Sequence, residues 1–156
     1  VTRFSDRRTL RFAPEQIFAL VADVERYPEF LPWCTRLKIR ERREEGASTI
    51  LVADMTISFA LVQERFTSKV VLTPQERRIE VDYLDGPFRY LHNLWRFEPT
   101  PGGCVVHFDI DFEFKNRALG LLIGTVFHKA VQRLVHAFEA RAEALYGRVP
   151  AGTAVR

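Results

Sequence analysis

Roughly eighty residues of alternating strand pattern run into one long closing helix, Asn116 to Gly147, and that order constrains the fold more than any other feature. Asn116 suits an N-cap, and Gly147 suits the first residue past the C-terminus. The second half of the helix carries one apolar stripe, made by Val131, Leu134, Val135, Phe138, Ala142 and Leu145. Its first half has almost no polar face, for between Ala118 and Phe127 Thr125 is the one polar side chain. A helix needs a single stripe to dock on a sheet. The surplus apolar surface must meet a covering loop, a ligand, a partner or a lipid surface, which points to binding rather than bond-making.

The segments before it read as strands with turn signals between them. Phe4 to Phe12 is a first strand, with Phe4, Leu10 and Phe12 on one face and Arg3, Arg7 and Arg11 on the other. Pro14 at a first helical position opens a helix through Ala22. Pro28 and Pro32 bracket a turn, and six strands follow: Leu37 to Arg43, Ser48 to Phe59, Val62 to Leu72, Arg78 to Leu84, Phe88 to Glu98, and a run ending at Phe114. In the last, Cys104, Val106, Phe108, Ile110, Phe112 and Phe114 alternate with Val105, His107, Asp109, Asp111 and Glu113. Hairpin-length connections make the sheet antiparallel. The fold class is α+β, a curved antiparallel sheet of six to seven strands gripping the closing helix. At 156 residues a single domain over 1–147 is expected, with 148–156 a disordered tail.

Composition narrows the setting. Hydrophobic content of 47% and 28% charged residues describe a globular chain, and the net charge of +3 permits an anionic surface without demanding one. No secretory signal precedes Phe4, and the longest apolar run falls well short of the ~20 residues of a spanning helix. Cys34 and Cys104 alone make no disulfide framework, so a reducing cytoplasm is expected.

Catalytic signatures are absent. There is no Gly-x-Ser-x-Gly, no phosphate-cradling glycine loop and no Cys-x-x-Cys. The row His107, Asp109, Asp111 and Glu113 has metal-ligand chemistry, but opposite a wholly apolar face it reads as a solvated strand surface, and no metal is expected. Cys34 has no local base and reads as a small, half-buried apolar residue.

Three features bear on binding. Residues from Tyr27 to Cys34 pack Tyr, Phe, Leu and Trp into the proline-bracketed turn, which either caps the core or forms a ligand mouth. Gly120 and Gly124 clear one helical row, for close sheet packing before ligand space. Arg36, Lys38, Arg40 and Arg42 alternate with Leu37 and Ile39, a basic ladder facing away from the core that is either simply solvated or meets an anionic surface.

The run from Val24 to Cys34, with Tyr27-Pro28-Glu29-Phe30-Leu31-Pro32-Trp33-Cys34 its most specific part, joins Gly86-Pro87-Phe88-Arg89-Tyr90-Leu91, Asn93-Leu94-Trp95-Arg96-Phe97, Phe112-Glu113-Phe114 and Phe138-Glu139-Ala140-Arg141-Ala142. Together these resemble the coenzyme Q-binding (ubiquinone chaperone) family and the bacterial ribosome-association toxins, within the START / polyketide-cyclase-like superfamily of helix-grip proteins. The resemblance covers residues 3–147. It implies a hydrophobic tunnel between sheet and final helix that holds a polyprenyl quinone, ubiquinone, without turning it over.

By resemblance and facing, Phe30, Leu31, Pro32 and Trp33 form the mouth. Met55, Ile57 and Phe59 line one strand, Trp95 and Phe97 another, and Leu122, Ile123, Val126 and Phe127 form the helical wall. No covalent cofactor is implied. A long tail would protrude and be shielded by contact with a membrane or with a second copy of the chain; the expected location is the cytoplasm, with peripheral contact at the anionic inner face of the cell membrane. The alternatives are a ribosome-binding regulator of subunit association, acting through the basic ladder, and an aromatic polyketide cyclase, for which no acid/base pair is evident. DNA is not an expected partner.

Overall fold

From residue 34 onward short connections force each strand back alongside its predecessor, and the first strand pairs with the last, so the described residues form one antiparallel sheet of seven strands in the spatial order first, seventh, sixth, fifth, fourth, third, second. The computed structural model describes residues 2–59 and 61–147. The strands are β1 (Thr2–Leu10), β2 (Cys34–Glu45), β3 (Ser48–Phe59), β4 (Val62–Thr73), β5 (Arg78–Asp85), β6 (Phe88–Thr100) and β7 (Gly103–Phe114). The helices are α1 (Pro14–Ala22), the single turn α2 (Tyr27–Phe30) and α3 (Arg117–Tyr146). The curved sheet grips α3, so the fold is the α+β helix-grip arrangement. Residues 148–156, expected as a tail, lie outside the described residues.

Local chemistry sets the joints. Pro14 occupies the first turn of α1, and the backbone N–H of Ala13 donates to Gln16 Oε1 at 3.0 Å. Asn116 caps α3 by accepting from the Leu119 N–H at 3.0 Å. At Gly103 a Cβ would lie 2.0 Å from the Leu10 carbonyl oxygen, so only glycine lets β7 begin beside the end of β1. The first strand therefore stops at Leu10, two residues before its expected end, and Phe12 leaves it to pack on Tyr146 with ring centroids 6.0 Å apart.

One core joins the three helices to the concave face. Ile17, Leu20 and Val21 of α1, Leu51, Val70, Ile79, Trp95 and Phe97 of the sheet, and Phe138 and Ala142 of α3 are buried together. Leu145, the last residue of the expected stripe, is 51% exposed; Tyr146 turns in instead and donates to the Gln16 carbonyl at 2.9 Å. The arms Arg117–Gly124 and Val126–Tyr146 of α3 meet at a bend of 60°. No single helix among the described residues is long and apolar enough to cross a membrane.

The basic ladder is broken. β2 carries irregularities between Cys34 and Arg36 and between Ile39 and Glu41. Lys38 stands opposite Asp54, Glu41 opposite Val52 and Arg42 opposite Leu51, so Arg40 is the extra residue of a bulge. The bulge shifts the pleat by one. Arg36 and Lys38 keep the convex face, whereas Arg42 falls in register with Leu51, which is buried in the core. Arg40 Nε lies 3.3 Å from Asp54 Oδ2, and all four cations are exposed. Alternation alone predicts one row; the inserted residue makes two.

Candidate functional site

Between the concave face and α3 lies a cavity of about 280 Å³. Inward rows of the strands build its walls: Ala53, Met55 and Ile57 from β3, Phe66, Ser68 and Val70 from β4, Leu91, Asn93 and Trp95 from β6, and Phe108, Ile110, Phe112 and Phe114 from β7. Helix α3 contributes Ile123, Val126, Phe127, Ala130, Val131, Leu134 and Phe138. No Asp, Glu, His, Lys or Arg lines it among the described residues. Such a wall favours an apolar guest and offers no paired acid and base for proton transfer.

One end of the cavity is closed by aromatic packing. Phe138 meets Trp95 at 5.3 Å and Tyr27 at 5.6 Å between ring centroids, and the Tyr27 hydroxyl donates to the Val21 carbonyl at 2.5 Å. The other end lies where the first arm of α3 leaves the sheet. The Ser58 N–H bonds the Trp33 carbonyl at 2.8 Å, joining β3 to the entry of β2, and the Lys115 N–H bonds the Pro87 carbonyl at 2.8 Å, joining the start of α3 to the β5–β6 turn. A Cβ on Gly86 would lie 2.7 Å from Phe66 Cβ, so glycine brings that turn onto β4. Leu121 and Leu122 stand 74% and 49% exposed on this arm, and Leu61, in the β3–β4 turn, is fully exposed.

The two helix glycines do not admit the sheet. A Cβ on Gly120 would meet only Phe114 Cβ, at an ordinary 3.8 Å, and one on Gly124 would meet nothing within 4 Å. Close packing, the expected reason for this row, is replaced by open space beside the bend.

Of the residues expected to line a tunnel, Leu31, Trp33, Met55, Ile57, Trp95, Ile123, Val126 and Phe127 do line the cavity. Four do not. Phe30 is half-buried outside the wall, edge-on to Phe138 and under the Arg141 guanidinium at 5.1 Å. Pro32 is exposed on the turn. Phe97 shares the inward face of Trp95, but Phe18 of α1 covers it at 5.6 Å, leaving it 2% exposed in the core. Leu122 is 49% exposed, while its neighbour Ile123 on the same arm takes the inward position. Phe59 ends β3, and its side chain lies outside the described residues.

Several wall residues went unnamed in the sequence reading. Phe66, Phe88, Phe108 and Phe112 follow from strand alternation once the concave face is known. Ser68 and Asn93 are subtler: each is one polar residue in an inward apolar row, Phe66-x-Ser68-x-Val70 and Leu91-x-Asn93-x-Trp95. Cys34 also reaches the wall. Burial pushes its thiol up to about 11, so it stays protonated at neutral pH.

The convex face is ionic. His107 Nε2 lies 2.9 Å from Glu98, Ser5 donates to Asp109 at 2.5 Å, and Arg3 reaches Asp111 at 3.3 Å. The row His107, Asp109 and Asp111 thus has side-chain partners on β1 and β6. Glu80, Asp82 and His92 stand close enough to share a metal, but His92 Nδ1 already hydrogen-bonds Asp82 at 2.8 Å, with Glu80 3.5 Å from Nε2.

The family model described as Polyketide cyclase / dehydrase and lipid transport matches residues 10–139. A Pseudomonas aeruginosa protein named "Ribosome association toxin RatA" is 34% identical over 139 residues, covering 88% of this chain and 93% of that one. "Coenzyme Q-binding protein COQ10 homolog B, mitochondrial" of Xenopus laevis is 32% identical, covering 98% of this chain and 64% of that one. The solution structure of an 18 kDa Caulobacter crescentus protein superposes with a TM-score of 0.81 at 35% identity, covering 95% of this chain and all of that one.

Proposed function

The chain belongs to the polyketide cyclase / dehydrase and lipid transport family, and from that premise we propose that it is a non-catalytic binding protein, a chaperone for a lipophilic polyprenyl quinone of the ubiquinone type that serves respiratory electron transport. The observation that carries this reading is the cavity of about 280 Å³ with no charged side chain in its described wall. A volume near the lower end of the usual ligand range (~300–1,000 Å³) takes a ring-sized head and the start of a tail. The rest of the tail leaves beside the bent arm of α3, where Leu61, Leu121 and Leu122 are exposed.

In this reading the protein works in the cytoplasm, touching the inner face of the cell membrane while the tail is transferred. The exposed cations Arg36 and Lys38 of β2 supply attraction to anionic headgroups. The name of the Xenopus relative supports the ligand class, and the wall's lack of an acid/base pair favours binding over the cyclase chemistry that the family also includes.

The test is organic extraction of purified protein with mass spectrometry, followed by titration with a short-tailed ubiquinone analogue. Near-stoichiometric quinone, or saturable micromolar binding of the analogue, is expected. Under one quinone per hundred chains with no gain on incubation would overturn the reading, as would turnover abolished by one His, Asp or Glu substitution.

A second reading has its own support: the Pseudomonas relative is named for ribosome association, and the exposed cations of β2 suit RNA. It requires co-sedimentation with ribosomal subunits that falls steeply as salt rises.

A further inference from the structure

Two inward strand rows are each interrupted by one polar side chain, and the two interruptions face the same cavity. Ser68 lies between Phe66 and Val70 on β4 and is 5% exposed; Asn93 lies between Leu91 and Trp95 on β6 and is 9% exposed. The Ser68 hydroxyl opens onto the cavity rather than being sealed inside the wall, so a serine in a phenylalanine-rich wall is placed to meet a guest. Among the described residues no group bonds the Ser68 hydroxyl. Beside it the register of β4 with β5 shifts, Thr67 standing opposite Asp85 and Ser68 opposite Tyr83, the kind of irregularity that re-aims a side chain.

Asn93 is fixed and partly spent. Its Nδ2 donates to the Asp109 carbonyl at 2.8 Å, and its Oδ1 accepts from Trp95 Nε1 at 2.9 Å. An indole N–H can only donate and a carbonyl can only accept, so the amide orientation is unambiguous. One N–H and one oxygen lone pair of Asn93 remain beyond these two bonds.

We infer that Ser68 and Asn93 are the polar anchors of the cavity, donating hydrogen bonds to the two ring carbonyl oxygens of a bound para-quinone. The inference rests on the quinone-binding reading and specifies how the head is held. Ser68 pairs across β5 with Tyr83, and Asn93 with Val81, so the two residues sit two strands and two residues apart. On a flat sheet that separates their Cα atoms by about 12 Å, and concave curvature brings inward side chains closer. Para carbonyl oxygens stand about 5 Å apart by bond lengths, and two hydrogen bonds of about 2.8 Å bring the span to about 11 Å. The ring then lies across β4, β5 and β6 with its carbonyl axis bridging the two donors, while its apolar edge and tail face α3. The anchors thus confer selectivity for a dioxygenated ring over a plain lipid chain of equal volume.

The experiment compares Ser68→Ala, Ser68→Thr and Asn93→Leu with the unaltered chain. Two probes are titrated: a ubiquinone analogue with one isoprene unit, and the same substituted ring and tail lacking both carbonyl oxygens. Losing one neutral hydrogen bond should weaken quinone binding by about fivefold to tenfold in Ser68→Ala, leave the deoxygenated probe unchanged, and be restored by Ser68→Thr. Thermal midpoints separate a folding defect of Asn93→Leu from a binding defect, and Ser68→Ala stands alone if that variant unfolds. Equal quinone affinity in Ser68→Ala and the unaltered chain would overturn the anchors while leaving quinone binding intact. Parallel loss of both probes would assign Ser68 a structural role and also overturn them. Absence of binding by the unaltered chain would overturn the quinone reading, and the anchors with it.

Discussion

The rings of Phe30 and Phe138 meet edge-on, their centroids 5.3 Å apart, and this contact backs the closed end of the cavity from outside its wall. Tyr27 stands edge-on to both rings, and Arg141, whose guanidinium lies over Phe30, also bonds Glu29 at 3.0 Å. Arg26 and then Arg141 hold the Glu29 carboxyl below its usual range. The turn α2 is thereby pinned to α3 by aromatic packing first and by exposed ion pairs second.

Phe30→Ala is therefore expected to destabilise the fold by about 2 kcal/mol, below the 3–5 of a fully buried phenylalanine because Phe30 is half-buried. Urea unfolding with an unchanged slope measures it. A loss under about 0.5 kcal/mol would show that α2 is not fastened through this ring.

The fold was legible because its signals are local and periodic. The alternation from Cys104 to Phe114 reads directly as β7, Pro14 marks the start of α1, and Asn116 marks the start of α3. What escaped depends on other parts of the chain. Nothing in Ile39-Arg40-Glu41 announces a bulge, since two charged residues in succession on an edge strand read equally as loose alternation. Phe97 obeys the same alternation as Trp95, and only the arrival of Phe18 from α1 removes it from the cavity. Ser68 and Asn93 were visible as polar breaks in apolar rows, but their meaning required knowing that both rows face one space.

Cys34 and Cys104 are both pushed up to about 11, chiefly by burial, but only Cys34 lines the cavity. At pH 8 each thiol holds about a thousandth of its population as thiolate, and alkylation should speed about tenfold per pH unit towards 11. Short-tailed ubiquinone analogue should slow iodoacetamide labelling of Cys34 and leave Cys104 unaffected, as read by peptide mass spectrometry. Equal protection at both positions would argue for global tightening rather than occupation of the cavity.

Val126 lines the cavity from the second arm of α3, next to the bend, and Leu31 lines it from the α2–β2 connection. Val126→Asp places an unpaired carboxylate against an apolar guest, and Leu31→Ser removes wall area while adding a hydroxyl. Both should weaken the quinone analogue at least tenfold while circular dichroism stays that of the unaltered chain. Retained affinity in Val126→Asp would move the ligand away from this wall.

The last prediction separates surface attachment from the cavity. Arg36 and Lys38 share the convex face of β2, opposite Thr56 and Asp54, whereas Arg42 lies past the bulge in register with Leu51. Reversing Arg36 and Lys38 together to Glu alters exposed side chains, so stability should change by less than about 0.5 kcal/mol per site. Attachment to phosphatidylserine-containing vesicles should fall by about 1 kcal/mol per charge removed from the contact, with affinity for the short-tailed quinone unchanged. Arg42→Glu, on the other face, should have a smaller effect on the same vesicles. Arg40→Glu is a poorer probe because it also places two carboxylates together at Asp54, now 3.3 Å from Arg40 Nε. If the double reversal leaves vesicle attachment intact but abolishes low-salt association with ribosomal subunits, the cations of β2 serve RNA and the membrane contact is withdrawn. If it removes quinone binding as well, surface and cavity act as one site, because a bulged edge strand that moves would carry Leu37 and Cys34 of the cavity wall with it.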